Sequence, residues 1–400
     1  MTSAHQRRNI AEYLPEAARR HGEHPAVHHR GRTVSFAELE RRSAAYACAL
    51  RNRGVVRGMR TLLLLRPGAD FIAAVFAVFR IGAVPVLIDP GMGLENFLGC
   101  VRMTGPEAMV GIARAHWLAL CRREPFRCVR HRLAVGGGAP PWIPRLEREA
   151  RRGKAEYPVA PTHPDDPAAI VFTTGSTGPP KGVAYTHRIF LAQTELIRDV
   201  YGAWPDQVDM PAFPLFALFS AALGMPCVIP EMDPSRPAHV DPEVIVGTIL
   251  RHGVTFSFGS PALWRRVAGW CRERQVRLPT LRRVVGQTRN MAVSPEGKLF
   301  WPVLETQRML EVLPHLRQYQ FEQTAIDAIT VTLVCAPAPT VEQLLRLQTV
   351  LEQALGHAYR WGWRFQETPI PLGVGGKFEE FVSLIAEPGW APRPSRCLNQ

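Results

Sequence analysis

Lysine is nearly missing from this chain of 400 residues: of its 48 basic side chains only four, at positions 154, 181, 298 and 377, are lysine and the rest are arginine. Long apolar runs are missing as well. The longest, Phe71 to Phe79, is bracketed by Asp70 and Arg80 and falls far short of the ~20 residues that span a bilayer, which excludes a membrane-spanning helix. No apolar stretch follows the basic residues of MTSAHQRRNIAEYL, so no secretory signal is read there and a cytoplasmic location is the expectation. The eight cysteines (48, 100, 121, 128, 227, 271, 335 and 397) form no CxxC pair and no paired Cys/His spacing. That argues against structural zinc and a disulfide framework, and predicts reduced, mostly buried thiols. Glycine (32) and proline (36) stay below the combined share typical of low-complexity or collagenous chains, and no internal repeat is present.

What remains is the composition of a globular enzyme-sized chain, 46% hydrophobic and 21% charged, long enough for two or three domains at ~150 residues each. The net charge of +13 raises nucleic acid as a partner. The arginines, however, are spread from end to end, with no aromatic RNA-binding pattern and no helix-turn-helix, so an arginine-favouring background is the preferred reading and no nucleic-acid partner is expected. Against that background Lys181 and Lys377, each beside a glycine-rich turn, are candidates for a task that arginine cannot do. Lysine is a compact point charge that approaches a phosphate or a reacting carboxylate end-on, whereas arginine presents a broad fork.

Residues 34 to 135 alternate helical and strand patterns: a helix over 37–53, a strand over 60–65, a helix over 70–80 and a buried strand over 84–88. Such alternation predicts a largely parallel, helix-covered sheet. After a Gly/Pro-rich and then charged interruption (136–154), strands are predicted over 168–173, 182–186, 227–230, 255–258 and 281–285, with helices over 242–251 and 261–274. Beyond Val285 the pattern changes. Ile329, Val331 and Leu333 alternate with Thr330 and Thr332 as in a half-exposed strand, and a capping box of Thr340 and Gln343 opens a helix over 341–355. The fold class is therefore α/β over 1–285, followed by a small α+β domain over 286–386 and a disordered tail from Glu387.

The segment Ile170 to His187, IVFTTGSTGPPKGVAYTH, carries the most chemistry. A β-branched strand runs into Thr173, Thr174, Gly175, Ser176, Thr177 and Gly178, then Pro179, Pro180, Lys181 and Gly182. Small residues let backbone N–H groups turn around an anion, the hydroxyls add donors, and Lys181 supplies charge for a β- or γ-phosphate. The arrangement differs from a Walker A loop because a strand follows in place of a helix. A polar hairpin between two strands is the plainer alternative.

TTGSTGPPKGV resembles the signature loop of the adenylate-forming superfamily, and TVSFAELERRSAAYACAL (33–50) and FRIGAVPVLIDPGMG (79–93) resemble two upstream motifs of the same family. Residues 211–264, including PAFPLFALFSAALGMPCVIP, look most like the β-lactone synthetases of bacterial olefin biosynthesis and related fatty-acid ligases. That resemblance implies an acyl pocket at Phe213, Phe216, Phe219 and Gly259, with a Phe/Leu-rich core helix as the equal alternative. GQTRNMAVSPEGKLFWP (286–302), LRQYQFEQ (316–323) and PLGVGGKFEEFVS (371–383) resemble the C-terminal domain of phenylacetate-CoA ligase-like proteins, in which a lysine placed like Lys377 reaches the carboxylate and the ATP phosphate. The implied fold is an adenylate-forming N-terminal lobe with a small C-terminal domain, and the implied cofactors are ATP and Mg²⁺, with CoA as a candidate acceptor for the activated acid.

Two family motifs are missing. Val285 runs directly into Gly286 where the superfamily carries a subdomain, and neither the aromatic-Gly-x-Thr-Glu motif that binds Mg²⁺ nor the Thr-Gly-Asp motif that holds the ribose occurs in the chain. Arg289 stands where an Asp or Lys hinge is usual. A fusion across an internal deletion is the reading of this gap, and it predicts exposed apolar surface and an unfilled nucleotide pocket. An acid-adenylating ligase, a degenerate relative with residual nucleotide binding and, a distant third, a basic nucleic-acid binder are the functions that these residues leave open.

Overall fold

The computed structural model describes residues 9–153, 156–173, 181–285, 292–297, 299–300, 302, 306–370 and 381–385. They divide into two compact units, one reaching to Val285 and one from Ala292 onward.

The first unit opens with helix α1 (Tyr13–His21), the hairpin of β1 (Pro25–His29) and β2 (Arg32–Ser35), and helix α2 (Phe36–Asn52). Next come β3 (Arg60–Leu64), α3 (Ala69–Ile81), β4 (Val84–Leu87), α4 (Leu94–Thr104), β5 (Ala108–Ile112), α5 (Ala113–Cys121), β6 (His131–Val135) and α6 (Leu146–Arg152). The strands β7 (Pro167–Thr173) and β8 (Lys181–Thr186) and the helix α7 (His187–Tyr201) complete this part. Strands β3 to β8 form one sheet in the order β6-β5-β3-β4-β7-β8, parallel except for β8. The step from β3 through α3 to β4 runs one way, and the step through α4 to β5 runs back across β3. Right-handed crossovers therefore put α3 and α4 on opposite faces, and two separate apolar cores, one holding α3 and the other α4 and α5, bear this out.

Helix α3 is buried at every residue from Phe71 to Ile81. A helix apolar on all sides must be covered on all sides, and α3 packs on β3 and β4 and on α2 and a later helix, α8 (Ala217–Leu223). Asp70 stands in its first turn, and its one positive charge, Arg80, is only 4% exposed. The guanidinium donates to the Tyr157 carbonyl at 2.7 Å and to the Glu40 carboxylate. The side-chain amide of Asn9, also buried, donates to the carbonyls of Phe79 (3.0 Å) and Ala160 (3.1 Å) and so satisfies the end of the same helix.

A second sheet in this unit gathers β1 and β2 with β9 (Cys227–Val228), β10 (Phe256–Phe258) and β11 (Arg283–Val285); helices α9 (Pro242–His252) and α10 (Pro261–Glu273) flank β10 in sequence. Strand β9 is shorter than its apolar run predicts because Pro230 cannot donate to a ladder. The pairs β1–β9 and β10–β11 are joined by Asp209, which bridges to Cys227 on one side and Phe256 on the other. Its N–H donates to the Pro226 carbonyl (2.9 Å) and its carbonyl accepts from Val228 N–H (2.8 Å). Its carboxyl is fully enclosed. One oxygen accepts from Ser220 Oγ at 2.5 Å, and the other has no partner among the described groups. Burial pushes this carboxyl up to about 7, against the pull of Ser220 and the Met210 N–H.

The second unit carries a short antiparallel pair, β12 (Ala292–Val293) and β13 (Leu299–Phe300), then α11 (Thr306–Val312), β14 (Leu316–Ala325), β15 (Ala328–Cys335), α12 (Val341–Leu355), β16 (Arg360–Gln366) and β17 (Phe381–Ser383). Its four-stranded sheet runs β16-β15-β14-β17, with Leu347, Leu351 and Leu355 of α12 in the same core as Ile329, Val331 and Leu333. The capping box at Thr340 and Gln343 forms as expected, with both reciprocal bonds present. Strand β15 corrects one expectation. Thr332 is buried, not half-exposed, because β15 is an inner strand and Thr332 stands between the long side chains of its register partners Gln320 and Arg364. Among the described cysteines all are free thiols, yet only Cys100, Cys227 and Cys335 are buried and Cys121 is exposed. The expectation of mostly buried thiols fails because several sit on helix surfaces. The tail from Glu387 lies outside the described residues.

Two outcomes follow from these buried charges. Glu40→Ala, which strands the buried Arg80 charge, should lower unfolding stability by about 3 kcal/mol, whereas Arg80→Met with Glu40→Gln should cost less than either charge-stranding change alone; a denaturant-based double-mutant cycle reads both. Asp209 has a folded-state pKa above that of an unfolded aspartate, so its contribution to stability is complete below about pH 4 and is lost as the pH rises to 7, at up to about 1.4 kcal/mol per unit. Urea unfolding at pH 5 and pH 8 should therefore show Asp209→Asn gaining on the wild type at the higher pH.

Candidate functional site

The carboxyl edge of the six-stranded sheet is where chemistry-bearing residues meet. Strands β7 and β8 pair antiparallel, and the register brings Thr173 opposite Lys181 and Phe172 opposite Gly182. The strand that follows the hydroxyl-rich segment is thus present. Thr174, Gly175, Ser176, Thr177 and Gly178 lie outside the described residues, as do Arg289 and Lys377; for Thr173 and Lys181 the backbone alone is described. Gly182 has a packing reason of its own. A Cβ there would fall 3.0 Å from the Phe172 ring, so any other residue would press on that ring and require it to give by a few tenths of an ångström.

Behind the hairpin, Thr186 caps α7 by accepting from the Ile189 N–H at 3.3 Å. His187 is buried beside it, and its Nδ1 accepts from the Ile10 N–H at 3.3 Å. Burial pushes this imidazole down to about 4 despite the nearby Asp166 carboxylate, so it is neutral and structural near pH 7.

Because the chain reverses its stepping direction between β3 and β4, the loops leaving these strands part to opposite faces and open a crevice at their carboxyl ends. A cavity of about 580 Å³ occupies it. Leu65, Arg66 and Pro67 follow β3 into its wall, Ile88 and Asp89 follow β4, and Phe172 of β7 joins them. Of the four residues expected to form an acyl pocket, Phe213 borders this cavity. Phe216 stacks on Phe258 with ring centroids 3.5 Å apart, and Phe219 is buried against Phe190. Gly259 makes room for Trp264, whose Nε1 would lie 2.7 Å from a Cβ at that position. Residues 217–223 form helix α8, buried from Ala217 to Ala222. Sequence reasoning passed over Arg66 and Asp89, although both sit in turn sequences, Arg-Pro-Gly and Asp-Pro-Gly, directly after parallel strands, where ligand-binding loops are expected.

Apolar surface is exposed at the edges of both sheets: Val183 on β8, Ile189, Leu196 and Val200 on α7, and Val284 on β11. Among the described residues no group of three or more His, Cys, Asp or Glu side chains could hold a metal ion, and no helix is long and apolar enough to cross a membrane.

Comparison with known proteins gives this geometry a family. Over 293 residues the chain is 42% identical to the olefin beta-lactone synthetase of Stenotrophomonas maltophilia (strain K279a), covering 69% of this chain and 51% of that protein. It is 41% identical over 278 residues to the olefin beta-lactone synthetase of Xanthomonas campestris pv. campestris, covering 66% of this chain and 49% of that protein. The chain thus spans about half the length of these relatives. Among solved structures, the anthranilate CoA ligase AuaEII in complex with anthranoyl-AMP superposes with a TM-score of 0.67 at 14% identity, over 94% of this chain and 97% of that one. The N-terminal domain of FACL13 from Mycobacterium tuberculosis gives 0.59 at 19% identity, over 70% of each chain; at such identities the likeness is one of fold, that of an adenylate-forming N-terminal lobe. Residues 14–359 match the AMP-binding enzyme family, and the chain belongs to it.

Proposed function

We propose that this chain uses ATP to activate a carboxylic acid as an acyl-adenylate. A carboxylate oxygen attacks the α-phosphorus, the new P–O bond forms as the bond to the bridging oxygen breaks, and pyrophosphate leaves. The observation that carries this reading is the sequence TTGSTGPPKG (173–182), which follows the last residues of β7 and runs into the first of β8, in a member of the AMP-binding family. Such chemistry asks the protein for positioning and charge neutralisation more than for a covalent intermediate.

In this reading Thr173, Thr174, Ser176 and Thr177, with the amides of Gly175 and Gly178, hold the β- and γ-phosphates, and Lys181 neutralises them. Lys377 bonds the acid's carboxylate and the α-phosphate, and Arg289 lies at the hinge before the second unit. Mg²⁺ is the expected counter-ion of the phosphates; no cluster among the described residues could hold it, so the roles assigned here are those of the chain's own groups.

The acid is fatty, β-hydroxy-fatty or aryl. The names of the relatives at 42% and 41% identity support the β-hydroxy class and closure to a β-lactone, in which the hydroxyl oxygen attacks the acyl carbon and AMP leaves. Transfer to CoA is the other fate, supported by the ligases that share the fold.

A second reading, a non-catalytic relative with residual nucleotide binding, is favoured by the missing Mg²⁺-binding and ribose-binding motifs. Carboxylate-dependent ATP/pyrophosphate exchange over a panel of fatty, β-hydroxy-fatty and aryl acids separates the two. Adenylation predicts exchange that requires an acid and drops by about a hundredfold in both Lys181→Ala and Lys377→Ala, the loss typical of removing one donor to transition-state charge. A folded chain that binds ATP and exchanges with no acid would leave only the second reading.

A further inference from the structure

A second cavity, of about 400 Å³, lies at the β6 edge of the six-stranded sheet, the edge opposite β8. The chain leaves β6 at Gly136 and returns at Pro144, whose carbonyl accepts from the Ala134 N–H at 2.9 Å. Two side chains pin the loop between: Glu147 Oε1 accepts from the Gly136 N–H at 2.7 Å, and Trp117 Nε1 donates to the Gly138 carbonyl at 3.0 Å. Gly136 and Gly138 have positive φ, 79° and 82°, which favours glycine. Gly137 has no such need, and a Cβ on it would meet nothing within 4 Å, so the missing side chain serves access to the backbone. The N–H groups of Gly137, Gly138 and Ala139 have no acceptor among the described residues.

Four arginines line this cavity: Arg53 from the end of α2, Arg145, and Arg148 and Arg152 of α6. Among the described lining residues Glu149 is the one carboxylate, and it stands between Arg53 at 2.7 Å and Arg152 at 3.4 Å, so its charge is already met. The Arg148 guanidinium has no hydrogen bond or ion pair among the described residues, and Arg145 has Glu147 alone, at 3.9 Å. The wall also carries Trp142, its ring 70% exposed. Pro140 and Ile143 on either side of it are buried, and the Ile143 N–H donates to the Pro140 carbonyl at 2.9 Å, so an anchored turn presents the indole to the cavity.

We propose that this cavity binds a nucleoside polyphosphate, its phosphates at Arg145, Arg148 and the amides of 137–139 and its base stacked on Trp142. Guanidinium forks and successive backbone N–H groups are the donors that phosphate oxygens take, and a base stacks on an indole whatever its sequence identity. An inorganic anion would leave Trp142 idle, and an uncharged aromatic ligand would leave the excess of arginine unmet. Three strands stand between β6 and β7, which puts the cavity about 19 Å from β7 at ~4.8 Å per strand. The nucleotide held here is therefore additional to the ATP of acid activation, and its site uses neither Lys181 nor Lys377.

Titration of the full chain with mant-ADP, a fluorescent nucleoside diphosphate, tests the proposal in the wild type and in Lys181→Ala, which removes the lysine proposed for the other phosphates. Saturable binding in both is the expected result. In the Lys181→Ala background, adding Arg145→Glu with Arg148→Glu should weaken it by about tenfold or more, and adding Trp142→Ala by about tenfold, the weight of one base on an aromatic ring. Tripolyphosphate, which has the charge without the base, should displace mant-ADP and bind Trp142→Ala as tightly as the parent. Labelling by phenylglyoxal, read by mass spectrometry on the wild type, places the ligand: ADP should shield Arg148. Melting curves check folding, and Arg148→Gln, a milder surface change, should weaken binding in the same direction. No saturable binding, binding lost in Lys181→Ala alone, or Arg148 labelled equally with and without ADP would overturn the site. Undiminished binding in Trp142→Ala would overturn the placement of the base. Failure of pyrophosphate exchange leaves this result untouched, and loss of shielding at Arg148 alongside intact exchange sinks this site alone.

Discussion

The first unit depends on the complete burial of one helix. Residues 71–81 present apolar side chains in every direction, so the chain must supply cover on every side, with the parallel sheet below and α2 and α8 above. A charge at the end of such a helix is costly unless it is met. Arg80 is met by Glu40 and the Tyr157 carbonyl, and the last carbonyls by Asn9 and by the Ala160 N–H. These bonds join residues 40, 9 and 160, far apart in sequence, to the same few ångströms of structure. A motif that family resemblance marks as a signature, FRIGAVPVLIDPGMG, is thereby explained in part by packing: Arg80 holds the helix end and Asp89 shapes the turn beyond the next strand.

The same helix sets the geometry of the site. Because α3 covers one face and α4 the other, the loops leaving β3 and β4 diverge, and the crevice between them follows from topology before any ligand is considered. Strand β7 runs parallel to both and ends on the same edge, and its Phe172 lines the cavity. Gly182 allows that ring its position, and a glycine expected to serve the phosphates thereby has a packing role in addition.

Asp209 shows a different economy. One residue bridges two strand pairs with its backbone and buries its carboxyl against Ser220. The sheet gains continuity there, and stability becomes sensitive to pH over the range in which the carboxyl ionises. The exposed apolar side chains of β8, α7 and β11 lie on the lobe in a chain that spans about half the length of the relatives it matches.

Much of this was legible in the amino-acid order because it rests on local rules. The period of apolar residues marks α2, α3, β3 and β4, the β-branched run before Thr173 marks β7, and Thr340 with Gln343 marks the start of α12, each within a residue or two of its place. These are contacts between near neighbours in the chain, and the sequence states them directly. What only the tertiary structure decided are contacts between distant segments: Asp209 between Cys227 and Phe256, Phe216 stacked on Phe258, Thr332 hidden between its register partners, and Arg66 and Arg114 in the lining of one cavity. Burial and unpaired charge are properties of the surroundings of a residue, and no residue carries its surroundings in its own name.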